Sequence, residues 1–273
     1  MHELKSDLMP DSKKSIVQVE AVVITRPLAQ AKGFSEQVKA IGRKPEIFPM
    51  LEIHALADDT QLRAILARLR DFAMVAFVSP NAVNAVFSYI QSWPQSVTIA
   101  VMGAGSRAAL AAHGITDINA HIISPTNPER TDSETLLDEL DLDGLKARSV
   151  LIIRGETGRE LLADALRAKS IAVVQVAAYC RKAPEFNAQR QSQLNSLLSQ
   201  KNTWVVTSSE VLKTMLSWAE QIDFENGVAK MQRQQILVPH ARIAETAKIL
   251  GFLSITLTGS GDERLLVALQ SEL

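Results

Sequence analysis

Apolar residues along this chain come in two spacings that take turns. Short stretches such as Ala21-Val22-Val23-Ile24, Met74-Val75-Ala76-Phe77-Val78, Val97 to Val101 and Val150-Leu151-Ile152-Ile153 are apolar at nearly every position. That is the pattern of a strand buried on both faces. Between them apolar side chains recur every three or four residues, as in Phe34, Val38 and Ile41, or Leu161, Leu162, Ala165 and Leu166. This spacing predicts helices packed by one face. Further helices are expected from about Asp59 to Arg70 (Leu62, Ile65, Leu66 and Leu69 inward), over Ala82 to Ile90, and over Arg107 to His113 closed by Gly114. Met50 to Ala55 reads as a short alternating segment, Thr126-Asn127-Pro128 as a loop, and Asp132-Ser133-Glu134 as the cap of a helix burying Leu136, Leu137 and Leu140. The stretch Leu151 to Pro184 is strand, polar turn, helix and a second strand over Ile171 to Ala178, one βαβ unit.

The same phrase occurs twice. Arg26 and Arg154, Ser79 and Ser208, Gly114 and Gly251, and Glu134 and Glu263 mark corresponding steps, in the same order and at a nearly constant separation. One α/β unit is therefore used twice. The predicted fold class is α/β, with two similar parallel-sheet lobes, doubly wound and flavodoxin-like, facing a cleft. The polar turns of both copies then lie at the carboxyl ends of strands, where open sheets bind ligands.

Composition narrows the function without naming it. A hydrophobic fraction of 47% supports real cores, and a net charge of −1 gives no general attraction to nucleic acid. No uninterrupted apolar run approaches the ~20 residues that span a bilayer. Residues 1–18 lack the apolar core of a signal peptide and are expected to form a loose tail. The single cysteine, Cys180, has no disulfide partner in the chain and reads as a buried thiol in a reducing cytoplasm. The histidines, His2, His54, His113, His121 and His240, lack metal-ligand spacing, so no metal is expected. Gly103-Ala104-Gly105 lacks the third glycine of a dinucleotide fingerprint, and neither a Walker loop nor a G-x-S-x-G elbow is present. No cofactor is expected.

The candidate chemistry sits in the polar turns: Thr25-Arg26, Ser79 to Asn81, Gly103 to Ser106, Arg154-Gly155-Glu156, Thr207-Ser208-Ser209 and His240 to Arg242. Helix N-termini present free N–H groups and partial positive charge, so each turn is a candidate carboxylate or phosphate seat. For any one hydroxyl or amide, plain N-capping is the competing role, and Arg26 and Arg154 have the alternative of pairing with nearby carboxylates such as Glu156. Tyr179 lies on the strand leaving the βαβ unit, either packed in the core or facing the cleft as a proton donor.

Taken together, Ile24-Thr25-Arg26-Pro27, Phe77-Val78-Ser79-Pro80-Asn81-Ala82-Val83, Ile153-Arg154-Gly155-Glu156 with Gly158-Arg159, Tyr179-Cys180-Arg181, Thr207-Ser208-Ser209, and Arg242 to Ala247 with Leu250-Gly251 resemble the uroporphyrinogen-III synthase family over about residues 20 to 270. The chain departs from the family's pattern at Val78, Ser106 and Ile243, where that pattern tends to have hydroxyl residues. The resemblance implies two lobes joined by a two-stranded β connector: 19–46 with 185–273 as lobe one, 57–174 as lobe two, and 47–56 and 175–184 as connectors. It implies a monomeric cytoplasmic lyase that needs no cofactor, with neither nucleic acid nor membrane as partner. Its substrate would be hydroxymethylbilane, a linear tetrapyrrole with eight carboxylates, received in transient contact with the bilane-forming enzyme. Ring closure to uroporphyrinogen III would lose water and invert ring D through a spiro intermediate, in haem and sirohaem synthesis. Tyr179 would be the catalytic proton donor. Arg26, Ser79, Asn81, Ser106, Arg154, Gly155, Thr207, Ser208, Ser209 and Arg242 would hold substrate. The competing reading is a two-lobed protein that binds a small anion or tetrapyrrole without catalysis.

Overall fold

The computed structural model describes residues 20–125, 133–158 and 160–271. The expected tail, the Thr126-Asn127-Pro128 loop, Asp132 and Arg159 lie outside them. In chain order the elements are β1 (Ala21–Ile24), α1 (Leu28–Ala40), β2 (Lys44–Ile47), β3 (Glu52–His54), α2 (Thr60–Leu66), β4 (Met74–Phe77), α3 (Pro80–Phe87) and β5 (Thr98–Val101). There follow α4 (Ala104–Ala112), β6 (Ile122–Ile123), α5 (Ser133–Asp138), β7 (Ser149–Gly155), α6 (Leu161–Ala168), β8 (Ala172–Lys182) and α7 (Ala188–Leu198). The chain closes with β9 (Thr203–Val205), α8 (Ser209–Ile222), α9 (Gly227–Gln232), β10 (Gln235–Val238), α10 (Ala241–Ile249), β11 (Ser254–Leu257) and α11 (Asp262–Ser271).

The strands form two sheets, ordered β11-β10-β9-β1-β2 and β6-β5-β4-β7-β8-β3. All pairings are parallel except β3 against β8. Matching β1 to β7, β2 to β8 and β9 to β4 makes the two orders the same apart from β3 at the edge of the second sheet, so the repeat legible in the sequence is a repeat of topology. Both sheets are doubly wound: in chain order the first runs 2-1-3-4-5, the flavodoxin-like order, and the parallel strands of the second run 3-2-1-4-5, with the direction of winding reversing between β1 and β9 and between β7 and β4. The all-apolar runs behave as their composition requires: β1 and β4 are buried at every position.

The first sheet draws strands from both ends of the chain, and buried polar groups fix that junction. Asn202, fully buried, accepts the Ala21 N–H through Oδ1 at 2.9 Å and donates through Nδ2 to the Leu197 carbonyl at 2.7 Å. The Thr25 hydroxyl donates to the Val205 carbonyl at 2.8 Å. Paired polar groups in a core stabilise modestly, but an unpaired one there is costly, so these bonds select β9 as the neighbour of β1. Around them Phe48 meets Trp204 edge-on at 6.2 Å and Trp218 at 6.0 Å, while Phe186 stacks on Trp218 at 4.4 Å.

Two expectations need adjustment. The helix expected to Arg70 stops at Leu66 and resumes as a single 3-10 turn over Leu69–Asp71, which still buries Leu62, Leu66 and Leu69. The strand expected to end at Ala178 runs to Lys182. Its first half pairs in parallel with β7, and its second half pairs antiparallel with β3, Cys180 opposite His54 and Lys182 opposite Glu52. One continuous strand therefore belongs both to a sheet and to the two-stranded ladder.

Candidate active site

The site grows from an irregularity in β7. Between Arg154 and Gly155 the register with β8 shifts, so that Arg154 pairs with Ala177 and Gly155 with Tyr179. The Glu156 N–H then donates to the Tyr179 carbonyl at 3.0 Å. The Tyr179 ring lies against Gly155, where a Cβ would stand 3.0 Å from its Cζ atom. A glycine is required by that close approach. The side chain is buried, 4% exposed, and its hydroxyl is 3.0 Å from Ser79 Oγ. Ser79 caps α3, accepting the Ala82 N–H at 3.1 Å. The phenol is thus coupled through one hydroxyl to the positive end of a helix.

Tyr179 and Ser79 open onto a cavity of ≈ 480 Å³ at the carboxyl ends of the strands. Gly155, Thr157 and the guanidinium-bearing Arg154 and Arg181 line its second-sheet side. Ser208, Ser209, Glu210 and Arg242, at the N-termini of α8 and α10, line the other. Among the described lining residues there are three arginines and one carboxylate, so the wall favours an anion.

The arginines are held differently. Arg154, buried, pairs through Nη1 with Glu160 and donates to Gln175 Oε1 at 2.9 Å, and Gln175 Nε2 donates to Glu160 in turn. The Gln175 hydrogen bond first, and that of Arg154 second, hold the Glu160 carboxyl below its ordinary value. Arg181 reaches across the cleft. Its Nη2 donates to the carbonyl and the hydroxyl of Thr157, both at 3.0 Å, and to Glu210 Oε1 at 2.9 Å. Its Nε is buried without an acceptor among the described residues. An orphaned buried donor costs about 1–3 kcal/mol, more where it carries charge.

Of the residues expected at the site, Ser79, Arg154, Gly155, Tyr179, Ser208, Ser209 and Arg242 share this cavity. Four do not line it. Arg26 is drawn off by Asp262, at 2.8 Å, and lies over the Phe34 ring at 4.6 Å. Ser106 is buried in α4, and Thr207 stands outside the wall. Asn81 lines a neighbouring groove of ≈ 590 Å³, which Tyr179 also borders, and accepts a hydrogen bond from Gln30 Nε2 at 3.0 Å. Arg154 does take a carboxylate, Glu160 rather than the Glu156 considered from sequence. Arg181, Thr157 and Glu210 were missed. The signal for Arg181 was available, because alternate residues of a strand share a face and Arg181 follows Tyr179 by two.

Among the described residues no helix is long and apolar enough to cross a membrane, and no group of three or more His, Cys, Asp or Glu side chains is placed to hold a metal ion.

A sequence model described as uroporphyrinogen-III synthase HemD matches residues 32–257. Uroporphyrinogen-III synthase of Salmonella typhimurium is 29% identical over 255 residues, covering 92% of this chain and all of the relative. That of Escherichia coli K12 is 27% identical over the same length and coverage. In fold, the chain resembles the crystal structure of uroporphyrinogen-III synthetase from Helicobacter pylori, with a TM-score of 0.61 at 17% identity over 93% of this chain and all of the other. Because the family match spans residues 32–257, most of the chain and every residue named on the cavity wall, the chain belongs to the uroporphyrinogen-III synthase HemD family.

Proposed function

We propose that this protein is a cyclising lyase that converts hydroxymethylbilane into uroporphyrinogen III, in the cavity bordered by Tyr179. The observation that carries the reading is the composition of that wall: three arginines and two helix N-termini converge from both sheets on one space, matching a substrate with eight carboxylates.

The chemistry asks for little beyond shape and one proton. In this scheme the Tyr179 O–H protonates the terminal hydroxyl of the bilane as the C–O bond breaks, releasing water instead of hydroxide and leaving an electrophilic azafulvene. Ser79, 3.0 Å away, then donates to the phenolate that remains, while still accepting from Ala82. The substituted carbon of ring D attacks the azafulvene to form the spiro intermediate. Fragmentation and reclosure invert the ring, and the proton lost at reclosure restores the phenol. An unassisted bilane closes without inversion, so most of the catalytic work is to hold the folded conformer. Arg154, Ser208, Ser209 and Arg242 serve as carboxylate seats in this scheme.

The lobes are taken as 19–46 with 185–273 and 57–174, with 47–56 and 175–184 as hinge. The protein is taken to act as a cytoplasmic monomer, receiving its substrate from the bilane-forming enzyme. The test is a coupled assay in which porphobilinogen and a bilane-forming enzyme feed the purified protein, and oxidised products are resolved by chromatography. A shift from type I to type III isomer without added metal or nucleotide is the expected result. Type I alone, from folded protein, would overturn the reading and favour a tetrapyrrole-binding protein without turnover.

A further inference from the structure

Arg181 carries more hydrogen bonds on one nitrogen than it needs and none on another. Its Nη2 serves Thr157 twice and Glu210 once, while the adjacent Nε is buried with no acceptor among the described residues. The Nε–Nη2 edge of a guanidinium presents two parallel donors that fit both oxygens of one carboxylate. Glu210 brings only Oε1 to that edge, at 2.9 Å, and the same oxygen also takes the Thr157 hydroxyl at 3.4 Å. Its backbone is fixed in the first turn of α8, where Ser208 Oγ accepts the Glu210 N–H at 3.2 Å. Glu210 therefore half-fills a two-oxygen seat.

The seat lies in the cavity wall, and Arg181 follows Tyr179 by two residues on β8. The pair also joins the two halves of the cleft, since Glu210 belongs to a first-sheet helix and Arg181 to the strand shared by the second sheet and the ladder. The Glu210 side chain is 45% exposed, and once displaced it remains at the positive end of α8. Leaving Arg181 thus costs it little.

We propose that Glu210 is a built-in competitor of the substrate: its carboxylate occupies on Arg181 the seat that one carboxylate of the tetrapyrrole takes, and binding displaces it. The inference rests on the functional reading above and adds a specificity device to it. A tetrapyrrole side chain lacking a carboxylate at that point leaves Glu210 in place. One bearing it gains both nitrogens of the Nε–Nη2 edge, which Glu210 does not.

The probe is uroporphyrin III, an octacarboxylate, titrated by its fluorescence into wild type, Glu210→Gln, Arg181→Gln and the double variant, with KM for the bilane measured in parallel. Glu210→Gln is expected to tighten porphyrin binding and lower KM by roughly two- to fivefold, the range of a partly exposed ion pair. Arg181→Gln is expected to weaken binding, and the gain from Glu210→Gln is expected to vanish in the Arg181→Gln background. Should Arg181→Gln not fold, Arg181→Lys, which keeps the charge and loses the fork, serves in its place. Unchanged or weaker binding by Glu210→Gln overturns the proposal and makes Glu210 a plain bridge between the halves. A gain that survives in the double variant also overturns it, because the effect is then one of net charge. Wild type that forms type III isomer while Glu210→Gln shows no gain sinks only this proposal, whereas wild type that neither binds nor converts sinks the functional reading with it.

Discussion

Replacing Tyr179 by Phe removes one oxygen and keeps the ring, and so separates packing from proton donation. The ring still covers Gly155, and the backbone still accepts from Glu156. What disappears is the 3.0 Å hydrogen bond to Ser79, whose Oγ goes on capping α3 through Ala82. A neutral hydrogen bond is worth about 0.5–1.5 kcal/mol net, so the melting temperature falls by roughly 1–6 °C for a chain of this size. Loss of a positioned general acid costs about 10²- to 10⁴-fold in rate, or ~3–5 kcal/mol in the barrier. The two magnitudes are far enough apart to be told from each other in one experiment. The coupled assay, read as type III isomer formed per enzyme, is expected to fall by at least a hundredfold, with spontaneous type I product taking its place. Turnover near wild type, accompanied by the small loss in melting temperature, would refute the proton-donor role and leave the hydroxyl as a packing group. A collapse in stability well beyond a few degrees would instead mean that the ring itself had moved.

The same site supports three further predictions. Gly155→Ala sets a methyl group about 3 Å from the Tyr179 ring; overpacking of this kind costs about 1–3 kcal/mol and is expected to lower turnover at least tenfold, so activity and melting temperature both at wild-type level would contradict the geometry. Ser79→Ala removes both a helix cap and the partner of the phenol, with an expected loss of about 1 kcal/mol in denaturant unfolding and a fall in turnover while Tyr179 is intact; a stability loss alone would confine Ser79 to capping. Glu160 is held below its ordinary value by Gln175 and Arg154, so its contribution to stability is present above the usual carboxylate range and is lost as pH falls through its lowered value. The melting temperatures of wild type and Glu160→Gln should therefore differ slightly near neutral pH, Glu160 being half exposed, and converge in acid; a gap independent of pH would refute the assignment.

Much of this molecule is legible along the chain because the signals involved are local. Strands buried on both faces are apolar at nearly every position, and β1, β4 and the Val150 to Ile153 run of β7 announced themselves that way. A helix needs its first N–H groups capped, and Ser79 and Ser208 do so in corresponding turns of the two sheets. Gly114 and Gly251 follow α4 and α10 with φ of 76° and 81°, a left-handed turn that glycine adopts without strain. Since each repeated unit carries the same local signals in the same order, the repeat was visible before any contact was known. Tyr179 could be placed on the strand leaving the βαβ unit for the same reason.

What the chain alone determined, then, is the set of elements, their duplication and the polar turns at the strand ends, because each depends on residues within one or two turns of each other. The tertiary structure decided which of those polar residues face a common space. Arg26 and Arg154 look equivalent in sequence, yet Arg26 is taken by Asp262 from the far end of the chain while Arg154 stays on the cavity wall. Arg181 and Glu210 lie on separate elements and meet only because β8 runs on past the second sheet into the ladder, bringing its end to the start of α8. A charged side chain is satisfied by whatever opposite charge the fold brings within a few ångströms, and that is fixed by sheet order and register rather than by sequence neighbours.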